Sequence, residues 1–290
     1  VSSFVIFFMV VIGALLSGAT IAYPLYLFIT IFTETSFPDV IIASTQFCGL
    51  IFSLFYLKFF STLTFNTIGL CPIDKKQRHN AGWEFVAGLT IILMLAASLL
   101  IFNVYGLHVG RDITILRIIV LLISALATGI TVSVFEETVF RGALLQGLYK
   151  NTNASVAIVL TSIVYALVHF INYPDIADGE VIYFFTALSQ FIPAYSNLVN
   201  IENYDAFLAL FILGVLFGMI RIRTDNIIQC IFLHAGLVAG IKLFRYFLVY
   251  TPNSTYDFFV SSHDHRLGFM ALVWIAMATA LYYLFIFRKS

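Results

Sequence analysis

Long apolar stretches separated by short polar ones run through nearly the whole chain. Runs of membrane-spanning length, about 17–25 residues, fall near 4–32, 38–60, 84–106, 113–135 (continuing to 149), 154–171, 206–222, 226–249 and 267–287. They predict an all-α polytopic membrane protein, a bundle of about eight transmembrane helices. The stretch from 113 to 149 is too long for one straight span, so it either tilts and protrudes or breaks near Gly129. Two segments fit neither span nor simple loop. Residues 61–83, with Gly69, Pro72 and a basic cluster, read as a connector lying on the cytoplasmic membrane surface. Residues 172–205 form a long acidic excursion. Its apolar, aromatic middle (181–192) is too short to span and predicts an interfacial or re-entrant helix, either resting on the membrane or lidding a substrate entrance. No internal repeat or low-complexity tract is visible.

Composition agrees with this class. The chain is 61% hydrophobic and 10% charged, with 31 Phe and 15 Tyr, whereas soluble domains carry about 25% charged residues. Mean hydropathy is +1.00. Fifteen basic and fifteen acidic residues cancel, so nucleic acid is not an expected partner; the lipid bilayer is. Charge alternates between loops. Lys58, Lys75, Lys76, Arg78, Lys150, Arg221, Arg223, Arg288 and Lys289 mark one side, Glu34, Asp39, Asp175, Asp178, Glu180, Glu202 and Asp205 the other. Arg111 with Asp112, and Asp257, Asp264 and Arg266, fall on the acidic side. The positive-inside rule then sets both termini and the even-numbered loops in the cytoplasm. Lys242 and Arg245 lie near the outer end of their helix, where snorkelling can accommodate them. The first apolar run is too long for a signal-peptide core and reads as a retained helix. The chain divides into three helices with their connector (1–112), a central core (113–249) and a last helix (250–290).

Inside the central core, Glu136 and Glu137 stand side by side, with Arg141 one turn on. A carboxylate at bilayer depth costs roughly 2.5–3.5 kcal/mol, so two adjacent ones call for a function. Neighbours on a helix point about 100° apart, and Glu137 meets Arg141 at i,i+4 in the favourable order. Glu136 has no partner in its own helix. Across a hairpin turning at 150–153, His169 is as far from the turn as Glu136, so two antiparallel helices bring both to one depth. His234 lies about 14 Å in from the turn near Asp225, somewhat shallower. Gly214-x-x-x-Gly218 and Gly236-x-x-x-Gly240 permit close helix approach and are expected to draw their two helices together. A desolvated Glu beside a neutral His can hold and deprotonate a water. A second His can donate to the oxyanion formed when that water adds to a carbonyl. Together they predict an intramembrane polar cavity that hydrolyses peptide or other acyl bonds. G-x-S-x-G and H-E-x-x-H are absent. Cys48, Cys71 and Cys230 lack metal or redox spacing. No cofactor is expected; zinc held by Glu136, His169 and His234 is the alternative, weakened by the adjacent arginine.

At these residues the chain resembles the CPBP family, the CAAX prenyl endopeptidases and bacteriocin-processing intramembrane glutamic proteases. Glu136-Glu137-Thr-Val-Phe-Arg141 matches the Glu-Glu-x-x-x-Arg motif. Tyr165-x-x-x-His169 resembles Phe-x-x-x-His, and Phe211-x-x-Gly214 the third motif. The fourth, His with Asn or Asp four residues on, is half present, since His234 is followed by Val238. The resemblance covers about 113–249 and implies a bundle of eight helices with a cavity. In it Glu136 and His169 activate water, His234 lines the oxyanion site, and Glu137 with Arg141 braces the helix. Tyr165 or Asn172 would substitute for the group missing at 238. The implied function is a glutamate-dependent endopeptidase of an inner membrane, cleaving a membrane-embedded or lipid-tethered peptide or protein. The alternative is a non-catalytic immunity or scaffold protein that keeps the fold, which Val238 favours. A proton-relaying transporter would carry broken helices repeated in two halves, and none is seen. Substrate identity and oligomeric state are not readable from the sequence.

Overall fold

A computed structural model describes residues 3–32, 35–60, 64–72, 75–111, 113–171, 173, 176, 180–194, 203–262 and 264–288. Glu34, Asp112, Asn172, Asp175, Asp178, Glu202 and Lys289 lie outside the described residues. Helices α1 (Ser3–Ile29) and α2 (Phe37–Phe60) pack together as a hairpin, followed by a single turn, α3 (Phe65–Ile68), and α4 (Lys75–Ile101). Helix α5 (Ile115–Glu137) passes without interruption into a π-helical segment, Thr138–Leu145, and then into α6 (Gln146–Tyr149). Next come α7 (Ala154–Val168), two single turns α8 (Thr186–Ser189) and α9 (Phe191–Ala194), then α10 (Tyr204–Thr224), α11 (Ile228–Phe247) and α12 (Phe269–Tyr282). Among the described residues, seven helices are long and apolar enough to cross a membrane, counting Ile115–Tyr149 as one rod; the shorter apolar α7 joins them. The protein is an all-α polytopic membrane bundle.

Capping explains where the central helices begin. Thr114 accepts from the Arg117 amide at the start of α5, and Asn153 from the Val156 amide at the start of α7. The expected spans 84–106 and 226–249 both end early. Asn103 turns the chain with φ 54, and Tyr105–Leu107 (β1) pairs antiparallel with Leu248–Tyr250 (β2), Tyr105 opposite Tyr250. This short ladder, rich in aromatic and branched residues, ties the far ends of α4 and α11.

The long central rod does not break at Gly129. A Cβ there would lie 2.7 Å from the Ala235 carbonyl oxygen of α11, so the glycine serves close packing. The irregularity comes later, in the π segment, where the chain departs from α-helical hydrogen bonding. The paired small residues also act differently from expectation. Instead of drawing α10 to α11, Gly214 and Gly218 seat α10 on α7 at Ser162 and Ile158, and Gly236 and Gly240 seat α11 on α4 at Phe85 and Ile92.

Three further expectations change. The 61–83 connector is not simply laid on the surface. Ile68 of α3 packs with Ala143, Ile227 and Ile231, the Gly69 carbonyl accepts from the Ile227 amide at 2.8 Å, and the basic residues open α4. The 181–192 stretch is two single turns rather than one helix. Its Ala187 is buried, as is Ala194 next to it, against Ala19, Ala22, Phe37 and Ile41 of the α1–α2 hairpin. Lys242 does not rely on snorkelling, since its Nζ donates to the Ser124 carbonyl at 3.1 Å and to Thr128 Oγ1 at 2.8 Å, bridging α11 to α5.

Candidate active site

Four elements converge where α5 becomes π-helical. Glu136 and Glu137 are the last residues of α5, and Arg141 lies inside the π segment. His169 follows the last turn of α7, and His234 sits in the second turn of α11. Gly142, in the same segment, lets α3 come close behind it, since a Cβ there would lie 2.6 Å from Ile68 Cγ2.

Glu137 is fully buried and Arg141 is 1% exposed. Arg141 Nη1 donates to Glu137 Oε1 at 3.2 Å, and its Nη2 reaches the Gly214 carbonyl at 3.4 Å. The guanidinium carbon stands 4.4 Å from the Tyr165 ring centroid and 4.7 Å from that of Phe217. A cation held over aromatic faces in a dry interior is stabilised by the ring quadrupoles. The same Glu137 Oε1 accepts from His234 Nδ1 at 2.8 Å. Glu137 therefore links α5 to α11 as well as bracing its own helix. Nothing in the sequence spacing signals that bond, which joins residues 97 apart.

Glu136 faces the other way. Its Oε2 lies 3.9 Å from His169 Nε2 and 3.9 Å from His234 Nε2. That is too long for a direct hydrogen bond, and it is the separation that one bridging water spans. The hairpin and the third helix thus bring all three side chains to one level, with His234 as close to Glu136 as His169 is. His169 Nδ1 must donate, because at 2.6 Å it meets the Tyr165 carbonyl, which only accepts. His234 Nδ1 likewise donates to an ion-paired carboxylate. In their neutral forms both imidazoles therefore turn an Nε2 lone pair toward Glu136. Glu136 Oε2 and His169 Nε2 suit a water that donates one proton to each and keeps a lone pair free to attack, and His234 Nε2 reaches the same carboxylate oxygen.

Glu136 and His169 also line a cavity of about 300 Å³. Its opposite wall comes from α1 and α2, with Val10, Ala14, Thr45, Gln46 and Gly49, and Ile171 and Tyr173 close one side. Sequence reasoning overlooked this wall; the only signal was the polar Thr45-Gln46 pair within an apolar run. Tyr165 is buried, its ring 4.6 Å from that of His169. Val238, one turn past His234, is half-buried and offers no polar group. Among the described residues, no group of three or more His, Cys, Asp or Glu side chains is arranged to hold a metal ion.

Residues 118–239, less than half of the chain, match the model of the family described as Type II CAAX prenyl endopeptidase Rce1-like. The match is at superfamily level and spans Glu136, Glu137, Arg141, His169 and His234. No curated protein and no solved structure matches the chain significantly.

Proposed function

We propose that the protein is a CPBP-type intramembrane glutamic endopeptidase, hydrolysing a peptide bond in a membrane-embedded or lipid-tethered substrate. The observation that carries this reading is the placement of Glu136 Oε2 at 3.9 Å from two imidazole Nε2 atoms, on the wall of a cavity large enough for a chain segment. A water held there gives one O–H to Glu136 and the other to His169. As its oxygen adds to the scissile carbonyl, Glu136 takes the proton, the C–O bond forms and the carbonyl oxygen becomes the oxyanion. Collapse breaks the C–N bond, and the same proton passes to the leaving amine, restoring Glu136. His234 stabilises the oxyanion from Nε2 in its doubly protonated form, with Glu137 as counter-ion. Glu137, Arg141 and Tyr165 position these groups. The similarity of 118–239 to the Rce1-like prenyl endopeptidases supports the same class of reaction.

The charge alternation between loops supports both termini lying in the cytoplasm, and the setting proposed is an inner membrane. A second reading, an immunity or scaffold protein without catalysis, is favoured by Val238, which supplies no hydrogen-bonding group where the resembling proteases carry Asn or Asp. One experiment separates the two. Membrane-protein termini are compared by mass spectrometry in cells holding the protein, its Glu136→Gln form, or neither. The protease reading expects a processed terminus that appears only with Glu136, the rate falling by about 10²–10⁴-fold in Glu136→Gln with folding unchanged. Identical termini in all three cell lines favour the scaffold reading.

A further inference from the structure

The wall facing Glu136 and His169 is mostly apolar, yet it contains two hydroxyls that the catalytic scheme leaves unused. Thr45 Oγ1 on α2 and Tyr173 OH, beyond the end of α7, both line the cavity. Each is buried with no hydrogen-bond partner among the described residues, and Tyr173 is only 4% exposed. Ser53 differs, since its hydroxyl is already satisfied by the Gly49 carbonyl at 2.6 Å. The two hydroxyls are neighbours. Burial pushes the Tyr173 phenol up from its ordinary value, and a contact with the Thr45 side chain, outside ordinary hydrogen-bond geometry and so satisfying neither group, pulls it back. The fold holds Thr45 closely: a Cβ on Gly18 of α1 would meet Thr45 Oγ1 at 2.6 Å, so the helix crossing leaves the hydroxyl little freedom.

A buried hydroxyl without a partner is costly, and two together in an apolar cavity point to a ligand that supplies the missing bonds. We propose that Thr45 and Tyr173 form a polar clamp for one peptide group of a membrane-resident polypeptide, holding the neighbouring scissile bond against Glu136 and His169. Two hydroxyls can present one donor and one acceptor, which matches the C=O and N–H of a peptide group. A lipid ester only accepts and would use the pair half as well. The clamp rests on the hydrolase reading and names its substrate-positioning residues. Apart from Gln46, Ser53 and the catalytic pair, the other lining residues offer mostly apolar contact, so recognition is by backbone at one point and largely by apolar side chains elsewhere.

The test uses the full chain in lipid nanodiscs and, as probe, a fluorescein-labelled twenty-residue Leu/Ala membrane peptide. Binding is read in the Glu136→Gln protein and turnover in the Glu136 protein, with Thr45→Val, Tyr173→Phe and Thr45→Ser added to each. Loss of either hydroxyl is expected to weaken binding and raise KM by about three- to ten-fold, with kcat nearly unchanged. Thr45→Ser should restore both, and thermal stability should not fall, because no hydrogen bond of ordinary geometry is lost. Peptide binding that depends on the hydroxyls in a protein that never cleaves would sink the hydrolase reading and keep the clamp. Cleavage with unchanged KM and Kd would overturn the clamp and keep the hydrolase. Native mass spectrometry that shows the hydroxyls retaining a phospholipid, with peptide affinity unaltered, or a lower melting temperature in Thr45→Val and Tyr173→Phe, also overturns it.

Discussion

Glu137 carries two donors on one oxygen, and that double duty makes it the residue whose loss should damage the fold most directly. Removing it leaves Arg141 charged and 1% exposed, and breaking a buried pair by deleting one partner costs about 3–5 kcal/mol. Glu137→Ala should therefore lower the unfolding free energy by about that amount, measured by thermal or denaturant melts in detergent. Activity should fall too, because His234 loses the acceptor that orients its ring. A variant as stable as the wild type would refute the load placed on this pair. Half of this was legible from the chain alone. The i,i+4 spacing announces Glu137 with Arg141, and helix geometry leaves Glu136 free. The bond from His234 to Glu137 was not legible, because a hydrogen bond between distant segments depends on how helices rotate about their axes.

Among the elements, the glycine-lined helix α11 sets the position of His234. A Cβ on Gly236 would lie 2.1 Å from the Phe85 carbonyl oxygen, and a backbone group cannot move aside as a flexible side chain can. Gly236→Ala should push α4 away from α11, cost about 1–3 kcal/mol and reduce activity through His234, two residues earlier. Gly82 on α4 has nothing within 4 Å of a built Cβ. Gly82→Ala should leave activity unchanged and gain up to about 1 kcal/mol from helix propensity. Melting temperatures and turnover of both variants check the pair; equal effects would mean that close approach does not govern α11. The sequence marks these glycines as packing residues without naming their partners. Small-residue spacing says that a backbone can come close, and the choice of neighbour belongs to the assembled bundle. The same limit explains the π segment, since hydropathy reports a continuous apolar run and is blind to a change in hydrogen-bond register.

For the molecule as a whole, orientation is the testable claim. Val109 is 93% exposed at the end of the bundle that carries the β1–β2 ladder, and Phe65 is 74% exposed at the opposite, basic end. In a cysteine-free background, Val109→Cys should react with an impermeant maleimide in intact cells, and Phe65→Cys only after the membrane is opened. The reverse labelling would invert the proposed topology. Hydropathy and charge were enough to read out the class, the helix count, the matched depth of Glu136 and His169, and the pairing of Glu137 with Arg141, because each follows from spacing along one helix or hairpin. The tertiary structure alone decided that His234 stands level with Glu136, that α11 leans on α4, and that α1 and α2 wall the cavity. Those contacts depend on the rotation and neighbour of each helix. An apolar helix surrounded by equally apolar lipid leaves both open until close packing and a few buried polar bonds select one arrangement.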